Sequence, residues 1–408
     1  MILSRLRETY WQAFHTVSLK VLLLSCALLF TGFVCSRALV SIGMIGIVLA
    51  ALLNIKNCSL KVFVERKELM LLTLLFWGVF VSGLWSDDKG SWINFTRIHL
   101  PYLFLPLAFG VLPRLDLKQL KAIALIYVFV MCISGVLVLA RYLLHYEQVN
   151  QSIMMGGVIP MPYSHIRYSL MLVFAFCVAI YLAKDYLLYG ATVFLFLLLH
   201  ILSVRSGLFA LYVSIVVMLS IWIIRERQWM RASLAVLSII AAAGVAFNTI
   251  PSLKNPINYM RYDIINYKYN QPIDASDGMR FRSWKGAWEV AKKAPLLGVG
   301  YGDLQNEMSA YYNEKFPALE LQQHKLPHNQ FLWWLVSTGW IGVIVFSSAI
   351  AFPLIKYFNT KIWLWHCFFA IIFSSFIWEA TLEEQMGTGF LSIWILLLMQ
   401  IDLKKQDE

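Results

Sequence analysis

Asp277-Gly-Met-Arg280-Phe-Arg282-Ser-Trp284, then Pro295-Leu-Leu-Gly298-Val-Gly300-Tyr-Gly302, then Pro327-His328-Asn329 are the marked runs of one polar interval, Pro251 to Asn329. Everything on either side of it reads as membrane helix. Long loops are usually either functional or disordered, and this one carries too many aromatic residues for disorder. The interval therefore predicts an ordered, partly helical segment held against a bundle of spans.

The bundle follows from composition. The 408 residues are 60% hydrophobic and 14% charged, with a mean hydropathy of +0.67, values typical of polytopic membrane proteins. Crossing a bilayer takes about 17–25 apolar residues. Twelve such runs recur, at about 18–36, 38–55, 69–85, 98–113, 119–143, 167–183, 186–203, 206–224, 231–250, 338–356, 362–379 and 386–402. The expected fold class is all-α, with about twelve transmembrane helices and a large periplasmic loop. Residues 1–250 hold helices one to nine, 251–337 the loop, and 338–408 helices ten to twelve with a short tail.

Lysine and arginine set the orientation. Arg5, Arg7 and Lys20 precede the first run, and basic clusters recur at every second connection: Lys56 to Lys67, Arg114 to Lys121, Arg225 to Arg231, Lys356 with Lys361, and Lys404 with Lys405. The opposite connections are poor in basic residues and carry acid, as in Asp87-Asp88 and Glu379 to Glu384. Both termini are then cytoplasmic and the long loop lies outside. The net charge of +11 is accounted for largely by this alternation, which argues against nucleic acid as a partner. The first run lacks a small-residue cleavage site and reads as a membrane helix, not a signal peptide. The cysteines at 26, 35, 58, 132, 177 and 367 avoid the outer loop, so no disulfide framework orders it.

Candidate site residues gather on the outer side. Asp87 and Asp88 could hold a divalent ion, but such a pair more often forms a solvated turn. Arg97 and His99 sit at the mouth of the fourth span, to touch an anionic head group or snorkel to the interface. His165 and Arg167 stand just above the sixth, as site residues or as part of an interfacial belt. Arg205 falls in a hairpin so tight that it must lie at the membrane face. There a charge costs a few kcal/mol unless paired or hydrated.

Within the loop, Ser276 or Asp277 caps a helix that runs to Lys293 and is stopped by Pro295. Phe281, Trp284, Trp288 and Ala291 share one face of it, and Lys285, Glu289, Lys292 and Lys293 the other. Arg280 lies on the tryptophan face and Arg282 about 200° away, so Arg280 should point to the membrane domain. The glycine run 298–302 follows a helix, not a strand, and reads as a structural turn. Beyond Pro327 a helix too long for one span is expected to break at Gly339. His328 is placed in its first turn, where the helix dipole favours the neutral imidazole.

This ordered set resembles the O-antigen ligase and O-antigen polymerase superfamily of bacterial membrane glycosyltransferases. The resemblance rests on Arg205-Ser-Gly207, on Arg280 to Gly300, and on His328-Asn329-x-Phe331-Leu followed by Gly339-Trp-Ile-Gly342. It covers about Leu202 to Phe346. One departure is Met279, which separates Gly278 from Arg280 where the family commonly has Gly-Arg directly. The resemblance implies transfer of a glycan from a polyprenyl diphosphate to an acceptor hydroxyl, on the outer face of the bacterial inner membrane. In the ligases that acceptor is a sugar of the lipid A-core. His328 would be the base, and Arg280 and Arg205 would bind the diphosphate. Arg282, Asn329, His165, Arg167 and Arg97 are the secondary candidates. The donor is already activated, so the chemistry calls for no cofactor and no metal. A polymerase or a protein O-oligosaccharyltransferase would differ only in the acceptor. A transporter or flippase would want ionisable residues at mid-span, and the span centres here are almost free of charge.

Overall fold

The computed structural model describes residues 2–55, 60–154, 157–226, 276–360 and 362–405, with isolated positions at 229, 230, 233, 237 and 244. The expected ninth span and the proline-bearing segment 251–275 lie outside the described residues. The chain opens with α1 (Ile2–Cys35), α2 (Arg37–Leu52), the short α3 (Leu60–Glu65), α4 (Lys67–Ser82), α5 (Lys89–Val111) and α6 (Leu117–Leu144). Then come α7 (Tyr146–Met154), α8 (His165–Leu182), α9 (Tyr186–Leu202) and α10 (Arg205–Glu226). The polar interval supplies α11 (Ser276–Ala291) and α12 (Leu304–Lys315), and the chain ends with α13 (Gln330–Lys356), α14 (Trp363–Trp378) and α15 (Gln385–Lys405). Eleven of the twelve expected apolar runs fall on one of these helices. Among the described residues, five helical stretches are long and apolar enough to cross a membrane: Thr16–Cys35, Leu117–Leu144, His165–Leu182, Arg205–Arg225 and Gln330–Lys356. Four shorter helices are apolar as well.

A helix that is apolar all round belongs inside a bundle, and two helices meet that description. In α8 every residue from Ile166 to Ala179 is buried, and in α15 every residue from Met386 to Gln400. Trp394 of α15 is the hub between them. Its ring lies 5.5 Å from Phe30 of α1, 4.8 Å from Tyr127 of α6 and 4.8 Å from Phe174 of α8. Aromatic pairs of this kind add about 0.5–1.5 kcal/mol each beyond their burial.

The connections sort onto two faces. On one, the Asp303 carboxylate accepts from the backbone N–H groups of Asp87 and Asp88 at 2.7 and 2.9 Å. Gln385 donates to the Arg37 carbonyl, Arg167 to Ala380, and His328 meets Glu379. This face, called the loop face below, gathers the connections expected outside. On the other face Lys356 pairs with Glu68 at 2.6 Å and Arg225 donates to the Thr360 carbonyl at 2.6 Å. Those connections are the ones expected in the cytoplasm. Asp88 accepts from the Ser91 N–H and hydroxyl and so caps α5. The acid pair is therefore used as a turn and a cap.

The polar interval is held to the bundle by backbone. Gly339 breaks α13 at φ 64° and ψ −168°, which releases peptide groups on both sides of it. The segment after α11 takes them up: Val299 and Gly300 donate to the carbonyls of Val336 and Ser337 at 2.8 and 3.0 Å. Trp340 and Ile341 donate back to Pro295 and Leu296 at 2.9 and 3.3 Å. The glycine run is thus a structural turn docked on the break. A Cβ on Gly339 would meet the Leu296 carbonyl oxygen at 2.2 Å, and one on Gly298 would meet Ser337 backbone at 2.4 Å.

The inward face of α11 differs from the one the sequence suggested. Met279, Arg282, Ser283, Ala287 and Val290 are buried, while Phe281 and Trp288 remain 37% and 46% exposed. The cause is α12, which packs on α11 and brings Tyr311 and Met308 against Gly286. Two amphipathic helices bury their faces on each other, an arrangement that one helix's periodicity does not disclose.

Gly339→Ala is expected to cost about 1–3 kcal/mol, since the backbone region it occupies is essentially closed to side chains. A lowered midpoint of thermal unfolding in detergent, with faster proteolysis between α11 and α13, is the outcome to look for.

Candidate functional site

Three helices begin at the loop face around one point. His165 is the first residue of α8, Arg205 the first of α10, and Asn329 is the N-cap of α13. Helix starts carry unpaired N–H groups and the positive end of the dipole, which makes them anion sites. Arg205 is delivered by a two-residue connection in which Ser203 adopts φ 52°. Arg280 comes from the start of α11, half-buried. His165 lies within the fields of Arg280, Glu379, Arg167 and Arg205. Glu379 lies within those of His328, Arg167 and Arg280. These six residues form one electrostatic neighbourhood.

His328 is gripped from three sides. Its N–H donates to the Ser283 hydroxyl at 3.3 Å and its carbonyl accepts from Trp284 Nε1 at 2.8 Å. Its Nδ1 lies 3.2 Å from Glu379 Oε2, with 29% of the imidazole side chain and 13% of the carboxylate side chain exposed. The next residue, Asn329, accepts from the Leu332 N–H at 2.9 Å and donates to the Ile377 carbonyl at 3.1 Å. His328 thus stands just before the N-cap and not in the first turn. Its strongest polar partner is a carboxylate, not the helix dipole.

That carboxylate defines the ring's chemistry. Burial pushes the Glu379 carboxyl up, but the His328 hydrogen bond and the charges of His328, Arg167 and Arg280 outweigh it. The carboxyl is held below the usual glutamate range. An ionised carboxylate only accepts, so Nδ1 must donate to it. In a neutral ring Nε2 is then the atom with the free lone pair. This is the wiring of a positioned general base.

Glu379 owes its place to the segment 379–384, which crosses the top of the two central helices. Arg167 donates to the carbonyls of Thr381 and Ala380 at 3.2 and 3.0 Å and pairs with Glu384 at 3.1 Å. Gln330, in the first turn of α13, accepts from the Leu382 N–H at 2.9 Å and donates to Glu383 at 2.6 Å. Glu383 also accepts from the Tyr301 hydroxyl at 3.3 Å, and its second oxygen lies 3.6 Å from His99. Burial pushes the Glu383 carboxyl up to about 8, against hydrogen bonds from Gln330 and Tyr301 that pull the other way.

The sequence candidates therefore divide. His328, Arg280, Arg205 and His165 come together, with Asn329 as the cap beside them. Arg167 joins them as the clamp of the 379–384 segment. Arg282 is buried among the loop helices, its guanidinium 5.6 Å from the Phe316 ring. Arg97 is exposed, on the side of α5 away from His99. Glu379, Gln330 and Glu383 were missed as site residues. The acids were read only as an outer connection poor in basic residues, and their count in so short a segment was the available signal.

Comparison with protein families gives a match to the family described as O-antigen ligase, over residues 190–347. That range holds Arg205, Arg280 and His328, and supports an O-antigen ligase or polymerase type of membrane enzyme. A search of curated proteins found no match.

Two measurements probe this frame. Arg167→Ala removes two hydrogen bonds from a charged donor, each worth about 1.5–3 kcal/mol. Amide hydrogen exchange across 379–385 should accelerate tenfold or more. Glu383 is protonated in the fold up to about 8, while its ordinary value is 4.5. The unfolded chain therefore loses that proton first, and stability should fall as pH rises from about 4.5 to about 8. Glu383→Gln should flatten that slope in thermal unfolding.

Proposed function

Taking membership of the O-antigen ligase and polymerase superfamily as the premise, we propose that this chain is a ligase-type glycosyltransferase. It moves a glycan from a polyprenyl-diphosphate carrier to a hydroxyl of lipid A-core at the periplasmic face of the bacterial inner membrane. The observation that carries the reading is the His328–Glu379 pair set among Arg280, Arg205 and three helix starts. A base and an anion site in one neighbourhood suit displacement of a diphosphate by a hydroxyl.

The geometry supports the following roles. The acceptor oxygen attacks the anomeric carbon while the bond from that carbon to the diphosphate oxygen breaks. The hydroxyl proton passes to Nε2 of His328, whose ring is held by Glu379 through Nδ1. The bond's electron pair leaves with the diphosphate, and Arg280 and Arg205 neutralise the charge that develops on it. Guanidinium suits this work because its planar fork meets two phosphate oxygens at once and stays charged. His165, at the start of α8, lies beside them as a hydrogen-bonding group. The departing diphosphate is stable without further activation, so the step draws on these side chains and calls for no cofactor.

His328→Ala should lower transfer by roughly 10²–10⁴-fold, the usual share of a general base. Glu379→Gln should lower kcat by a comparable factor, because an amide can donate to Nδ1 and select the wrong tautomer. Arg280→Ala should abolish transfer while the protein still inserts normally. The test is purified protein with a polyprenyl-diphosphate glycan and three acceptors: lipid A-core, a second carrier-linked glycan, and a protein. Product only on the second would make the chain a polymerase, and product only on the third a protein O-oligosaccharyltransferase. Wild-type activity in His328→Ala would remove the base from this scheme.

A further inference from the structure

One groove described in the fold does not lie over the His328 cluster. It opens between α2 and α5 with a volume of about 550 Å³, within the range of small-molecule and lipid sites. Met44, Ile45 and Val48 of α2 and Phe104 of α5 line its apolar length, and Ser41, Arg97 and Gln385 are its polar members. We propose that this groove seats the acyl chains of a phosphate-bearing acceptor lipid, with the phosphate on Arg97. The proposal rests on the glycosyl-transfer reading above and adds to it the place and class of the acceptor's anchor.

Arg97 supplies the charge complementarity. It lies eight residues into α5, about 12 Å along the helix at 1.5 Å per residue. It is exposed and makes no hydrogen bond or ion pair among the described residues. A cation facing the edge of the hydrocarbon costs a few kcal/mol unless something pairs with it. A lipid phosphate is the anion available at that depth. Two residues further on, His99 faces the opposite way and lies 3.6 Å from Glu383. Arg97 is therefore at about the level of the 379–385 segment and not deep in the bilayer.

The groove and the cationic cluster lie on different sides of the central helices. Arg205 begins α10, which packs on α8, α9 and α14, whereas α2 and α5 pack on each other and on α15. A carrier lipid held by Arg205 would run down the α10 side, leaving the α2–α5 side for a second lipid. Transfer between two membrane-anchored partners needs two such berths. The groove also connects to the base: Gln385 donates to the Ser41 hydroxyl at 2.6 Å and to the Arg37 carbonyl at 3.2 Å. It directly follows Glu384 and the segment that carries Glu379.

The test uses the full chain in nanodiscs, with a polyprenyl-diphosphate glycan as donor. Two acceptors are compared: a phosphorylated, acylated lipid A-core, and the water-soluble core oligosaccharide released from it. Arg97→Gln removes the charge, and Ile45→Trp fills the groove. Each should raise KM for the lipid acceptor at least tenfold relative to KM for the soluble one. An unchanged ratio in Arg97→Gln, which alters an exposed side chain and should fold normally, overturns the proposal. A rise in donor KM of the same size would assign the groove to the carrier lipid and overturn it too. Phosphatidylglycerol retained in native mass spectra of the wild type and lost in Ile45→Trp, with the KM ratio unmoved, would mark a resident phospholipid and again overturn it. If the wild type transfers glycan to neither acceptor, it is the glycosyl-transfer reading that fails.

Discussion

A helix can be interrupted beside hydrocarbon only if the freed peptide groups find partners, because no water is there to supply them. Gly339 imposes that condition on α13, and the segment Pro295–Gly300 meets it with four backbone hydrogen bonds. The consequence reaches well beyond the break. The docked segment fixes the end of α11, and α11 grips His328 through Ser283 and Trp284. The start of α11 carries Arg280. A polar interval without disulfides is thereby registered on the bundle by main-chain geometry, and the side chains that carry chemistry inherit their positions from it.

The short segment between α14 and α15 shows how environment divides the labour of like residues. Glu379 and Glu383 are four positions apart. Glu379 meets an imidazole and two guanidinium fields and stays ionised, which lets it hold the His328 ring. Glu383 is enclosed by Gln330, Tyr301 and His99 and keeps its proton to about 8. One is an orienting anion and the other a hydrogen-bonded structural acid. Pushing apart the behaviour of neighbouring carboxyls is a recurrent way to obtain distinct roles from one residue type. Arg167 stabilises both by fastening the backbone between them.

Helix starts account for the sign of the site. α8, α10 and α13 all begin at the loop face, so their dipoles add to Arg205 and Arg280. The arrangement follows from up-and-down topology: helices that descend from that face all begin there. The polyanionic leaving group of the proposed reaction would be matched by architecture as well as by side chains.

Apolar runs, basic alternation and the tight hairpin at Arg205 were legible in the sequence because each depends on local composition and the thickness of a bilayer. The break at Gly339 could be read the same way. The buried face of α11 could not, since it was decided by α12, a helix whose contact with it no periodicity encodes. Nor could Glu379, 51 positions from His328, whose role exists only where α13 and α14 meet. The sequence by itself determined which segments are apolar enough to form the helices of the bundle and which charges fall in the connections between them. Tertiary structure decided which of those charges touch, because pairing depends on distances between helices far apart along the chain.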